Sequence, residues 1–364
     1  MSTVIAGVDP HKRTLTIGVV DVVGVEVAVA SFANDGAGIT ETIAWLEQFN
    51  VVRVGIEGSA GHGRHLAHAL DDADHDVREV PARRTAQRRR ERRRPKTDRE
   101  DALAIARATQ SDPDLGAARH LLGPDEVHDA LAAVSQWRRS LVEQRKTLYN
   151  QAENIIDKLP VELIDQIGRG RAVAPRLAKA IGLDPAGHDR GTRSRLARLA
   201  EIAADIDQLT TRIKALEKQL ETLVQETGTT LTEEPGIGYV NAAVLLTEIG
   251  DPSRFRNEGA FSRWNGTGAV AVSSAEANGP PRRHRLDRTG NRRVNSALYM
   301  MSLVQSRVHP DAKIYLQRKR AQGKTAKEAR RAHKHLLSNR IIRRMWADQQ
   351  RALQQQAHQL PIAS

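Results

Sequence analysis

The chain has 364 residues, a formal net charge of +12 and a sequence pI near 10.2. That length exceeds what one core usually serves, so two or three domains are predicted, and the surplus of Lys and Arg selects an anionic polymer as partner. The absence of cysteine excludes disulfides, thiolate zinc sites and cysteine catalysis, and no apolar run approaches the ~20 residues that span a bilayer.

Residues 1–115 read as α/β. Strands are predicted at Val4–Val8, Thr14–Val20 and Glu26–Ala30, a helix from Ile39 to Phe49, and a strand running into Glu57. A helix near Gly63–Ala73 and a short strand Val77–Val80 follow. Strands joined by tight turns and then alternating with helices are the order of a ribonuclease-H-like sheet. A dinucleotide-binding sheet is the competitor, but no G-x-G-x-x-G follows the first strand. The chain opens on a strand rather than a charged-then-apolar leader, so no signal peptide is expected.

Four acids fall where such a sheet places metal ligands. Asp9 ends the first apolar run and Glu57 ends the fourth. Asp98 and Asp101 open a predicted helix, and positions i and i+3 share a helix face. Carboxylates gathered this way suit Mg²⁺ or Mn²⁺, which prefer hard oxygen ligands.

Just before them, residues 83–96 hold nine basic residues and one acidic. Arg83, Arg84, Arg88, Arg89, Arg90, Arg92, Arg93, Arg94 and Lys96 form a candidate clamp on nucleic acid; a solvated charged loop is the plainer reading. Aromatics make up only 3% of the chain, so contacts to phosphates are expected to outweigh base stacking.

Residues 124–228 turn helical. Leu196, Leu199, Ile202, Ile206, Leu209, Ile213, Leu216, Leu220 and Leu223 recur at steps of three and four, the pattern of a coiled-coil seam. Val127, Leu131, Val134, Leu141, Leu148 and Ile155 mark an earlier helix. The pair can pack as a hairpin or serve as a dimerisation arm.

Residues 229–345 form a third, mainly helical unit. Pro235-Gly236-Ile237-Gly238 ahead of an apolar helix looks like a helix-hairpin-helix turn, whose amides at Gly236 and Gly238 would hold a phosphate. Downstream, a small-residue loop with Ser273 and Ser274 precedes Arg282, Arg283 and Arg285. Arg318, Lys319, Arg320, Lys324, Lys327, Arg330 and Arg331 make a second basic stretch. Trp137, Trp264 and Trp346 read as packing residues. Residues 346–364 are Gln-rich and read as a flexible tail.

Taken together, Asp9-Pro10-His11-Lys12, Gly55-Ile56-Glu57-Gly58-Ser59-Ala60-Gly61 and Lys96-Thr97-Asp98-Arg99-Glu100-Asp101-Ala102 form an N-terminal signature. The C-terminal one is Pro235-Gly236-Ile237-Gly238, Glu248-Ile249-Gly250-Asp251, the Gly266–Ser274 loop and Gly290-Asn291-Arg292. In order and spacing the chain resembles insertion-sequence transposases of the IS one-ten family. The resemblance implies a RuvC-like domain, a coiled-coil insertion and a serine transposase domain. It implies that Asp9, Glu57, Asp98 and Asp101 are the DEDD metal set and that Ser274, or Ser273, is the nucleophile. The loop departs from the family pattern at Ala269, in place of a proline, and at Ala275, in place of a glycine. The implied partners are DNA, a noncoding bridge RNA and further copies of the chain in a dimer or tetramer. The implied location is the prokaryotic cytoplasm, at the nucleoid. Two alternatives stand beside it: a RuvC-like nuclease or resolvase that hydrolyses DNA with metal-activated water, and an inactive nucleic-acid-binding relic.

Overall fold

The computed structural model describes residues 2–82, 85, 97–113, 115–118, 126–271, 284–286 and 290–359. For 269–271, 284–286 and 356–359 it describes the backbone alone. The chain divides into two compact units, residues 1–125 with 229–364, and residues 126–228.

The first unit begins with strands β1 (Thr3–Pro10), β2 (Thr14–Asp21) and β3 (Glu26–Ala33). Helix α1 (Gly36–Leu46), strand β4 (Asn50–Ile56), helix α2 (Arg64–Asp72) and strand β5 (Val77–Glu79) follow. The sheet order is β3-β2-β1-β4-β5. β1 runs antiparallel to β2 but parallel to β4, and β4 runs parallel to β5. This mixed sheet is compatible with the RuvC-like start expected from the sequence. The central strand β1 is buried along most of its length, because helices cover both faces of its neighbourhood.

Helix α3 (Asp98–Ser111) lies directly on this sheet. Glycine makes that possible. A Cβ at Gly7 would sit 2.1 Å from the Ala106 nitrogen, one at Gly18 2.9 Å from the Leu103 nitrogen, and one at Gly55 1.8 Å from Thr109 Oγ1. Three adjacent strands thus each give up a side chain where the helix crosses. Thr97 caps the helix by accepting from the Glu100 amide at 3.2 Å. Asp98, Glu100 and Asp101 occupy its first turn, where the helix dipole favours negative charge.

The second unit contains α4 (Glu126–Ile156), α5 (Val161–Ile167), α6 (Val173–Ala180) and α7 (Arg190–Glu226). Helices α4 and α7 pack antiparallel. Arg138 pairs with Glu217, and Arg145 donates to Thr210. The leucine seam of α7 is buried from Leu196 to Leu220, with Val224 rather than Leu223 as its last buried position: Leu209, Ile213 and Leu216 meet Leu141 of α4, and Leu196 and Leu199 meet Ile156. The seam is therefore filled within the chain. Trp137, expected to pack, is instead 50% exposed on α4, since the residues packed toward α7 are Val134, Leu141, Val142 and Leu148.

The first unit resumes at Thr229 with helices α8 (Tyr239–Ile249) and α9 (Glu258–Trp264), and a hairpin of β6 (Ala269–Ala271) and β7 (His284–Leu286). It closes with α10 (Arg292–Val308), α11 (Pro310–Ala321) and α12 (Ala326–Gln359). Residues 346–359 of the segment read as a flexible tail belong to α12, and 360–364 lie outside the described residues. Trp346 Nε1 donates to the Pro252 carbonyl and Gln349 Nε2 to Asp251 Oδ1, each at 2.7 Å. Asp348 accepts from the Thr230 amide at 2.8 Å.

The acid end and the helical end of this unit touch through Arg254. Its side chain is 2% exposed and meets Glu79 Oε2 at 3.3 Å, while Phe255 and Trp264 stack around its guanidinium.

Candidate metal centre and nucleic-acid contacts

Strand register brings the acids together. Gly7 pairs with Gly55 and Val8 with Ile56 across β1 and β4, so Asp9 and Glu57 leave the sheet side by side. The Glu57 amide continues the ladder to Val8 O at 3.3 Å. Helix α3 delivers Asp98 and Asp101 to the same end of the sheet, because its crossing is fixed at Gly7 and Gly18.

Asp9, His11 and Asp98 offer ligand atoms that all lie within 4.8 Å of one another. His11 Nε2 stands 3.4 Å from Asp9 Oδ2 and 3.4 Å from Asp98 Oδ1. Burial pushes the Asp9 carboxyl above the usual carboxylate range. His11 opposes that rise, and the charges of Asp101 and Asp98 add to it. Asp101 is thus near enough to be felt electrostatically, although neither it nor Glu57 joins the tight group. His11 was not singled out as a site residue in the sequence; its one signal was its place two residues after Asp9, in the turn to β2.

Asn34 braces this corner. Its Nδ2 donates to the His11 carbonyl at 2.7 Å and to the His62 carbonyl at 2.9 Å. One side chain so ties the β1–β2 turn to the loop that follows Glu57.

The donor set suits a divalent cation in part. Carboxylate oxygens of Asp9 and Asp98 are hard donors of the kind Mg²⁺ and Mn²⁺ take; the imidazole nitrogen is a donor those ions use less often.

The proposed nucleic-acid contacts are described only in part. Arg83, Arg84, Arg88, Arg89, Arg90, Arg92, Arg93, Arg94, Lys96, Ser273, Ser274, Arg282 and Arg283 lie outside the described residues. Arg285 sits on β7, opposite Val270 of β6. Gly238 occupies the N-cap of α8, with open space around its Cα. Gly236 has φ +88° and packs against Met301 and Val304 of α10, so a side chain there would be strained and crowded.

Comparison with known proteins gives two matched segments. A family model described as Transposase, of the DEDD group of IS110, matches residues 6–159. A second, described as Transposase IS116/IS110/IS902 family, matches residues 228–317. The chain belongs to the IS110 transposase family. It is 26% identical over 235 residues to the "Insertion element IS110 uncharacterized 43.6 kDa protein" of Streptomyces coelicolor. That alignment covers 61% of this chain and 52% of the relative, so the chain spans about half the length of the curated relative it matches. Among the described residues, no helix is long and apolar enough to cross a membrane.

Proposed function

We propose that this chain is the DNA transposase of an insertion sequence, cutting and rejoining DNA through a serine nucleophile with a carboxylate-held divalent metal. The observation that carries the reading is the convergence of Asp9, Asp98 and His11 at the strand ends beside Glu57, with Asp101 close by. Arginine is plentiful in this chain, yet the cluster is bridged by a histidine.

Asp9, Glu57, Asp98 and Asp101 would hold Mg²⁺ or Mn²⁺. When bound, the ion supplies polarisation of a phosphoryl oxygen and neutralises charge that develops on it. Ser274 Oγ forms a bond to phosphorus as the bond to the leaving sugar oxygen breaks, and the proton lost by the serine is gained by that oxygen. The phosphoserine conserves the ester bond for transfer to a new DNA end. Ser274 follows β6 by three residues in sequence. The arginines of residues 83–96 and Arg282, Arg283 and Arg285 would grip phosphates, as would the amides beyond Gly236 and Gly238 in a helix-hairpin-helix arrangement. A noncoding bridge RNA would choose the target. A dimer or tetramer, with α4 and α7 as its coiled-coil arm, would supply the several active sites that strand exchange needs.

The test is a protein–DNA adduct that survives denaturation in the presence of Mg²⁺ or Mn²⁺. It is expected with the unaltered chain and lost in Ser274→Ala. A Ser274→Ala protein that cuts DNA at the normal rate would replace this reading with metal-assisted hydrolysis.

A further inference from the structure

A cleft of about 220 Å³ opens between α11 and α12, with α10 as its floor. It is smaller than the sites that enclose drug-sized ligands and suits one ring system. Tyr315 and Arg318 line one wall, His333, Leu336 and Arg340 the other, and Gln305 the floor. Positions 311, 315 and 318 share a face of α11, as 333, 336 and 340 share a face of α12.

The walls are aromatic and cationic together. The Tyr315 and His333 rings lie 5.7 Å apart. The Arg318 guanidinium stands 5.4 Å from the Tyr315 ring centre and the Lys319 ammonium 5.5 Å from it. Apolar surface is left open at the mouth: Ile314 is 63% exposed and Leu336 39%.

Two buried side chains bring polar edges to this space. Gln305 is 1% exposed and donates its amide to the Pro235 carbonyl at 2.8 Å. His333 is 2% exposed and its Nδ1 is engaged by Ser302 Oγ at 2.9 Å. Both residues line the cleft, so the Gln305 amide and the His333 ring border the space a ligand would occupy. Asp311, also on the lining, offers an acceptor for an exocyclic amine. The ridge that continues from the cleft carries Arg320, Lys324, Lys327, Arg330 and Arg331, against the single acid Glu328, which is spent on capping Thr325.

We propose that this cleft receives one unpaired nucleobase of a bound strand, stacked on Tyr315, while Arg318 and the basic ridge hold its flanking phosphates. A ring plus a phosphate matches the pairing of an aromatic wall with exposed guanidinium groups. A base also carries edge donors and acceptors that can meet the Gln305 amide and the His333 ring lining the cleft. The inference rests on the nucleic-acid reading above but adds a distinct site. It also qualifies the expectation from composition, since one local stacking point sits in a chain with few aromatics.

The test uses the full chain with short single strands of DNA and RNA of one sequence, each carrying one 2-aminopurine, and with the matching duplex. Tyr315→Ala should weaken binding of at least one single strand by about tenfold or more and abolish the fluorescence quenching caused by stacking. Tyr315→Phe should keep both, and the duplex should be unaffected by either change. Arg318→Glu, at an exposed position that cannot disturb the core, should weaken the same strand. Whichever strand responds identifies the source of the base. The cleft proposal is overturned if Tyr315→Ala and Arg318→Glu leave single strands unchanged, or if Tyr315→Ala weakens strand and duplex equally. If the unaltered chain binds neither strands nor duplex, the functional reading falls along with it.

Discussion

Two acidic groups of the first unit, Glu234 with Glu248 at the helical end and Asp9 with Asp98 at the sheet end, are partnered in different ways. At the helical end the buried Glu234 and Glu248 are each met by arginine. Glu234 pairs with Arg340 at 3.3 Å and with Arg344 at 3.2 Å, and Glu248 pairs with Arg293 at 2.5 Å. At the sheet end Asp9 and Asp98 share one histidine, while the adjacent Arg99 pairs with Glu26 instead. The first arrangement closes a structure; the second groups two carboxylates and an imidazole as a cation site can. Charge placement separates the two even though both are acid-rich.

The strongest challenge to this contrast is to change one acid at each end. Asp9→Asn should reduce DNA strand transfer by on the order of a thousandfold, as loss of a preorganised charged group does, with little change in the denaturation midpoint. Glu234→Ala should do the reverse. It strands Arg340 and leaves Arg344 paired with Glu233, both arginines being partly exposed, so we expect a loss of about 2 kcal/mol in urea unfolding and activity lowered only as far as folding is. Equal behaviour of the two variants would erase the distinction.

Gly7→Ala sharpens the geometric half of the comparison. The added methyl meets the backbone of α3 at 2.1 Å, which cannot yield as a flexible side chain would. We expect a stability loss of about 3 kcal/mol, and activity lost beyond what the unfolded fraction explains, because Asp98 and Asp101 move with the helix.

The helical end carries its own pH signature. The His333 pKa falls to about 4, chiefly because burial disfavours the charged ring, with Arg340 and His309 repelling it further. The unfolded chain gains a proton near pH 6.5 that the folded chain refuses until about pH 4. Stability from this group is therefore present at neutral pH and is lost as pH falls through that window, by up to about 3 kcal/mol. Urea midpoints measured across the window should fall less steeply in His333→Asn. The smallest effect is expected from Asn34→Ala. It releases the two loops beside the acids, and we expect strand transfer to fall by about fivefold, from one to two lost hydrogen bonds, with unfolding nearly unchanged.

Much of the acid corner was legible in the sequence. Asp9 and Glu57 end apolar runs, and an acid at the end of a buried parallel strand has few other places to go. The start of α3 was read at Asp98 and Asp101, and the structure adds that Thr97 caps it. The heptad spacing of α7 was equally plain, although spacing cannot say that α4 would fill the seam. What stayed hidden depends on distant partners. His11 gains meaning only when α3 brings Asp98 alongside it. Arg254 and Glu79 are 175 residues apart. The end of α12 looked frayed because glutamine is common in tails, yet glutamine also forms helices well, and Pro252 and Asp251 hold Trp346 and Gln349 in place.

The central claim is that the sheet-end acids bind a divalent cation. It is tested most directly by thermal unfolding of the unaltered chain and of Asp9→Asn with increasing Mn²⁺. The account predicts a melting temperature that rises with Mn²⁺ for the unaltered chain and stays level for Asp9→Asn, as linkage requires of a ligand held by the folded state. An equal rise in both proteins, or none in either, would contradict it.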